Sequence, residues 1–209
     1  MTTREDVRLS ADEALARLRE GNQRFLRGDM SSHAFCRERL ADLAAAQRPY
    51  ATILGCSDSR VPPELIFDSG LGELFVVRVG GNIISPEIAG SLQYAGSYLR
   101  TPLFVILGHE GCGAVAAALA TKHRGARFRS RVQLLLASIV PGLPELDPQL
   151  SREAQLSRAI EGNVRSAVRQ FLNSPEGQAS VAEGRLKVRG AVYEIDTGRV
   201  RFLSPEDAP

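Results

Sequence analysis

Two cysteines, a histidine, an aspartate and an arginine follow short apolar runs in this chain. Ala51–Gly55 leads into Cys56-Ser-Asp-Ser-Arg60, and Leu103–Leu107 leads into Gly108-His-Glu-Gly-Cys-Gly113. Thiolate and imidazole suit a borderline-soft ion such as Zn2+. Two thiolates and one imidazole leave the fourth tetrahedral position open, the arrangement of a catalytic zinc. His109 and Cys112 are three residues apart, on one side of a turn entering a helix, and Cys56 comes from another strand. Asp58 is close enough in sequence to fill the fourth position itself. Arg60 offers a guanidinium fork that would hold Asp58 away from the metal. Other chemistry fits parts of this set. A cysteine and a histidine can act as nucleophile and base. Free cysteines often pack as small hydrophobes. Gly108, Gly111 and Gly113 could cradle a phosphate at a helix N-terminus, although they match no standard fingerprint. Asp58 and Arg60 could be a structural ion pair, or Asp58 could close a purely structural metal site. The placement of all five groups at strand ends favours zinc.

Those groups need strands to carry them. Ala51–Gly55, Leu74–Val77 and Leu103–Leu107 are short, β-rich and lack polar alternation, which predicts strands buried on both faces. Helical patterns separate them. Ser85-Pro86-Glu87 is a cap with proline at the first helical position, and Ile88, Leu92, Ala95 and Leu99 form one apolar face behind it. Ala114–Ala120 enters a helix directly from the third strand. Ser10-x-x-Glu13 is a capping box ahead of a helix to Leu26, with Ala14, Leu15, Leu18, Asn22, Phe25 and Leu26 on one side. Further helices are predicted over about 36–47, 128–140 and 151–172. Strands at 186–193 and 199–203 flank the turn Asp196-Thr197-Gly198. The expected fold is α/β, a mostly parallel central sheet of about four strands plus an antiparallel edge strand, with helices on both faces. A single domain over 1–209 is expected, with an N-terminal helical arm (1–48) and an α/β core (49–209). In open sheets of this kind ligands sit beyond the carboxyl ends of the strands, where Cys56, Asp58, Arg60, His109 and Cys112 fall.

Composition narrows the function classes. The 209 residues carry 26 basic and 24 acidic side chains, a net charge of +2, which gives no whole-chain case for nucleic-acid binding. No run approaches the ~20 apolar residues of a membrane-spanning helix. The start Met1-Thr2-Thr3-Arg4-Glu5-Asp6 has no apolar segment of a secretory signal, so a cytoplasmic location is expected. Three cysteines fit a disulfide framework poorly. Cys36 reads as an inert thiol, His33 and His123 as solvated. Arg124, Arg127, Arg129 and Arg131 read as a solvated face or intersubunit ion pairs.

Taken together, Cys56-Ser-Asp-Ser-Arg60, Arg78-Val-Gly-Gly-Asn82 and Gly108-His-Glu-Gly-Cys-Gly-Ala-Val115 resemble the motifs of the β-class carbonic anhydrases. The stretch from Ala14-Leu15 to Gly21-Asn22-Gln23-Arg24-Phe25 resembles that family's leading helix, so the likeness runs from about Ser10 to Leu203. It implies reversible hydration of carbon dioxide to bicarbonate and a proton, with Zn2+ held by Cys56, His109 and Cys112. It implies that Asp58, paired with Arg60, either accepts a hydrogen bond from the nucleophile or ligates the metal. Gln47 would orient substrate, Phe75 and Tyr94 would line the pocket from a neighbouring subunit, and Gly113 would place a backbone amide beside the substrate. A homodimer or tetramer follows. Some relatives hydrolyse carbonyl sulfide or carbon disulfide at the same zinc site, and the motifs do not separate these substrates. One subgroup builds an inhibitory bicarbonate site partly on a tryptophan. Here Ile53 stands in that place and the chain has no tryptophan, so that site is not expected. Gly80-Gly81 replaces the family's more usual Ala-Gly.

Overall fold

Ser10 opens the first helix as its sequence demands. In the computed structural model, which describes residues 8–31 and 39–204, helix α1 spans Ala11–Arg27. The Glu13 carboxylate accepts from the Ser10 amide at 2.7 Å, and the Ser10 hydroxyl accepts from the Glu13 amide at 3.3 Å. Ala14 and Leu18 on its apolar stripe are fully buried. Asn22 lies on the same stripe for a reason the apolar pattern hides. Its Nδ2 donates to the carbonyls of Ile66 and Gly198, and its Oδ1 accepts from the Val200 amide. One carboxamide thus ties α1 to two distant segments. Leu18→Ala, which empties the centre of this contact, is expected to cost about 2–5 kcal/mol of stability in denaturant unfolding.

The chain continues through α2 (Arg39–Ala45), β1 (Ala51–Gly55), α3 (Pro63–Ile66) and β2 (Leu74–Arg78). A 3-10 turn at Gly80–Asn82 precedes α4 (Pro86–Tyr94), whose last turn widens into a π turn over Ala95–Leu99. Then come β3 (Leu103–His109), α5 (Gly113–Arg124) and α6 (Ser130–Ile139). They are followed by α7 (Arg152–Leu172), α8 (Pro175–Ala182), β4 (Lys187–Tyr193) and β5 (Val200–Phe202). The sheet order is β2-β1-β3-β4-β5, with the first four strands parallel and β5 antiparallel. This is the expected α/β architecture. On one face α1 and α3 cover Ala51, Ile53, Leu103, Val105, Leu107 and Ala191. On the other, α5, α6 and α7 cover Leu54, Phe104, Ile106, Val188 and Val192.

Three local expectations are corrected. β1 and β3 are buried along their length, but in β2 only Val77 is buried. It is the outer strand and has a neighbour on one side alone. The second helix stops at Ala45 rather than Gln47, because the Pro49 ring offers no N–H and clashes with a helical carbonyl four residues back, at Ala45; residues 32–38, including His33 and Cys36, lie outside the described residues. Two short helices, α3 and α8, were not expected. Ser174-Pro175-Glu176 carries the same cap-and-proline signature as Ser85-Pro86-Glu87, with Ser174 Oγ accepting from the Gly177 amide. Few large apolar side chains follow it, so no periodic stripe announced the helix.

Candidate functional site

Parallel pairing of β1 with β3 sets Gly55 opposite Leu107, so the residues just beyond, Cys56 and His109, emerge side by side at the carboxyl edge of the sheet. Gly111, with φ of +63°, lets the chain turn after β3 and deliver Cys112 to the N-cap of α5. The thiol sulfurs of Cys56 and Cys112 and a ring nitrogen of His109 lie within 4.8 Å of one another, and all three residues are buried. His109 Nδ1 lies 2.8 Å from the Glu110 carbonyl. A carbonyl only accepts, so Nδ1 carries the proton and Nε2 keeps a free lone pair. That Nε2 is buried without a hydrogen-bond partner. An orphaned buried acceptor is costly, and a metal ion between it and the two sulfurs is the group that would satisfy it. The donor chemistry fits zinc. Cys56 is also prepared as a ligand: the Cys112 thiol and the amides of Gly81 and Asp58 hold its thiol well below the usual thiol range against the opposing effect of burial. The same Cys56 neighbour, together with burial, pushes the Cys112 thiol up. Without a cation, two thiolates at this separation repel.

Asp58 sits at the open side of this cluster, its Oδ2 3.9 Å from His109 Nε2. Arg60 grips it with a two-pronged fork, Nε to Oδ1 at 2.9 Å and Nη2 to Oδ2 at 2.8 Å, and adds its backbone amide at 3.0 Å. The Arg60 hydrogen bonds hold the Asp58 carboxyl well below the usual carboxylate range. Arg78, at the end of β2, donates to the Cys56 carbonyl at 2.9 Å and to the Asp58 carbonyl at 2.5 Å. It therefore staples the loop that carries both residues. The sequence reading gave Arg78 no role, although an arginine ending a strand beside β1 was the available signal. The Gly81 amide, which the motif also contained without a role, donates to Cys56 Sγ at 3.4 Å.

A sequence model of the family described as Carbonic anhydrase matches residues 51–200, the span from β1 to β5. The chain belongs to the β-class carbonic anhydrase family. Among curated relatives, Carbonic anhydrase 2 of Mycobacterium tuberculosis is 39% identical over 186 residues, covering 87% of each chain. The Carbonic anhydrase of Mycolicibacterium smegmatis is 38% identical over 191 residues, covering 90% of each. Among solved structures, one from a study of two tetrameric β-carbonic anhydrases of Sordaria macrospora aligns with a TM-score of 0.74 at 28% identity, covering 80% of this chain and 87% of its own. The Coccomyxa β-carbonic anhydrase in complex with acetazolamide aligns with a TM-score of 0.70 at 30% identity, covering 80% and 78%. The chain is thus an enzyme of the carbonic anhydrase class.

The other residues that the family resemblance singled out divide into two places. Gly113 is the first residue of α5, next to Cys112, and is exposed. Gln47, Phe75 and Tyr94 are elsewhere. Gln47 lines a cleft at the entry to β1 together with Tyr50, Tyr98 and Arg100. Tyr98 stacks on Tyr94 at 5.5 Å between ring centres, and Tyr94 packs against Phe75 at 6.1 Å. Phe75 pairs with Thr52, four residues before Cys56, which at ~3.3 Å per residue is roughly 13 Å short of the metal cluster. Within one chain these three residues group with each other, not with the cluster. Among the basic residues, Arg124, Arg127, Arg129, Arg131 and His123 are exposed.

Proposed function

We propose that the chain interconverts carbon dioxide and bicarbonate at a zinc ion held by Cys56, His109 and Cys112, in a homo-oligomer whose subunits complete each other's sites. The observation that carries this reading is the buried, partnerless Nε2 of His109 facing two cysteine sulfurs, beside a carboxylate fixed by arginine. Bound there, zinc would act as a Lewis acid and generate a hydroxide nucleophile from water near neutral pH.

The chain's own residues supply the rest. Two thiolates neutralise the ion's charge more fully than imidazoles do, so this donor set favours a more alkaline working range than a three-histidine site. Asp58, kept ionised by Arg60, accepts the nucleophile's proton in a hydrogen bond and so aims a lone pair at the substrate carbon. The Gly113 amide, at the start of α5 beside Cys112, would donate to a developing oxyanion. Gln47 of a neighbouring subunit donates to a substrate oxygen, and Phe75 and Tyr94 of that neighbour supply an apolar wall for an uncharged substrate. Their grouping in one patch, away from the same chain's metal cluster, supports a shared site. So does the exposure of Tyr94 and Tyr98 beside the outer strand β2.

The test is stopped-flow carbon dioxide hydration across pH, with zinc measured on the same sample. The expected result is one zinc per chain and a hydration rate that climbs toward alkaline pH. Parallel assays with carbonyl sulfide and carbon disulfide complete it. Hydrolysis of either without carbon dioxide hydration above background would overturn the substrate assignment.

A further inference from the structure

Asn163 is a carboxamide in the wrong place for packing. It lies on the buried stripe of α7 with Ile160, Val164 and Ala167, and is only 4% exposed. A buried polar side chain needs partners, and its Nδ2 donates to the Gly81 carbonyl at 2.8 Å, across 82 residues of sequence. Gly81 is the residue whose amide donates to Cys56 Sγ. Seven residues further along α7, Gln170 donates to the Ile84 carbonyl at 3.2 Å. Two helical turns separate these side chains, so α7 grips the loop after β2 at two carbonyls along one line.

The loop needs gripping. Gly81 and Asn82 are successive left-handed residues, with φ of +69° and +45°. The second carries a Cβ, and asparagine takes this region at a smaller cost than other such residues. The peptide between them is the one whose carbonyl Asn163 holds. Without that hold the pair can relax, and the loop that carries the adjoining Gly80–Gly81 peptide, whose N–H meets the sulfur, shifts with it. No side chain can do the work at position 81 itself. A Cβ there would meet Ile139 Cδ1 at 2.6 Å and Ala114 Cβ at 3.3 Å.

We infer that Asn163 is a positioning residue of the metal site, which acts through the Gly81 amide to set the electron-donating strength of the Cys56 thiolate. An N–H bond to a thiolate withdraws charge from the sulfur, so the ligand gives less to the metal and leaves it more acidic. Outer-shell partners of this kind commonly set metal affinity by ~10–100-fold. The inference rests on the zinc reading above, and the test separates the two.

Cobalt(II) is placed in the full-length protein in place of zinc, and the thiolate-to-cobalt charge-transfer band is recorded for the wild type, Asn163→Asp, Asn163→Leu and Gln170→Ala. Asn163→Asp keeps size and loses the donor. In both Asn163 variants the band is expected to move to longer wavelength, because the freed sulfur gives more charge, while zinc affinity by chelator competition falls about ten-fold, because the ligand is no longer held in place for the metal. Gln170→Ala, which loosens the loop away from Gly81, is expected to leave both unchanged. Folded Asn163 variants with wild-type band and affinity would overturn the inference, and a Gln170→Ala band that moved equally would reduce Asn163 to a general loop anchor. A wild type with no thiolate-to-cobalt band would overturn the zinc reading, and this inference with it. One measurement needs no variant: in wild-type protein loaded with an NMR-active cadmium isotope, the Gly81 amide proton is expected to couple to the metal through sulfur. Absence of that coupling sinks the inference even if every Asn163 variant fails to fold.

Discussion

Cys112→Ala is expected to lose zinc and carbon dioxide hydration together, whereas Asp58→Asn is expected to keep its zinc and lose hydration alone. Cys112 is one of three donors in a cluster whose atoms lie within 4.8 Å. Its removal leaves a thiolate and an imidazole, so the loss of affinity should exceed the ~100-fold that outer-shell groups produce. Asp58 is different. Its two carboxylate oxygens are taken by the Arg60 fork, which leaves it beside the cluster as an acceptor. Asparagine has nearly the same shape but presents an amide where the nucleophile's proton needs a carboxylate, and loss of a positioned proton acceptor commonly costs ~10²–10⁴ in rate. The sign of the pH effect follows from the depressed Asp58 carboxyl. Its contribution to stability is fully present above the unfolded carboxylate range, near pH 4, and is lost only as pH falls through the lower folded value. Asp58 therefore does not titrate in the working range, and the alkaline rise in rate should keep its shape in Asp58→Asn while its height falls. Zinc analysis and stopped-flow profiles of the two variants decide this. Retention of zinc in Cys112→Ala, or its loss in Asp58→Asn, would reverse the roles assigned to them.

The parts of the site that were legible in the sequence are those whose cause is local. Cys56 and His109 each follow an apolar run, and a run that ends in polar residues marks a strand end. Cys112 was legible because three residues and a glycine make one turn. The Asp58–Arg60 fork was legible because two residues of separation bring those groups together in any tight loop. What stayed hidden depends on contacts between segments far apart. Arg78 staples Cys56 and Asp58 because β2 pairs with β1 in a register that the sequence does not state. Asn163 meets Gly81 only because α7 crosses that loop. Asn22 looked like part of an apolar stripe, since helical spacing says which face is inside and not what hydrogen bonds wait there. The partial exposure of β2 follows from its place in the sheet order, which no property of Leu74–Arg78 records.

Co-expression of two inactive chains, Cys112→Ala and Gln47→Ala, is expected to restore activity to about a quarter of wild type per chain, because half of randomly paired dimers are hybrids and each hybrid has one complete site. Gln47 precedes the five-residue strand β1 and Cys56 follows it, so at ~3.3 Å per residue roughly 15 Å or more of strand lies between them. A side chain cannot reach across that distance, so a glutamine that touches substrate must come from another copy. Gln47→Ala alone keeps its zinc and should lose about a hundred-fold in rate, the cost of a misplaced reactant. Cys112→Ala alone has no metal. In a hybrid, the metal cluster of the Gln47→Ala chain faces the intact Gln47 of its partner, while the opposite site lacks both. If every site instead lay within one chain, neither chain of a hybrid would be complete, and mixing would restore nothing. Two affinity tags isolate the hybrid, zinc analysis should find one ion per pair, and its hydration rate per zinc should equal that of the wild type. A hybrid with one zinc and no recovered rate would show that Gln47 serves its own chain or no site at all.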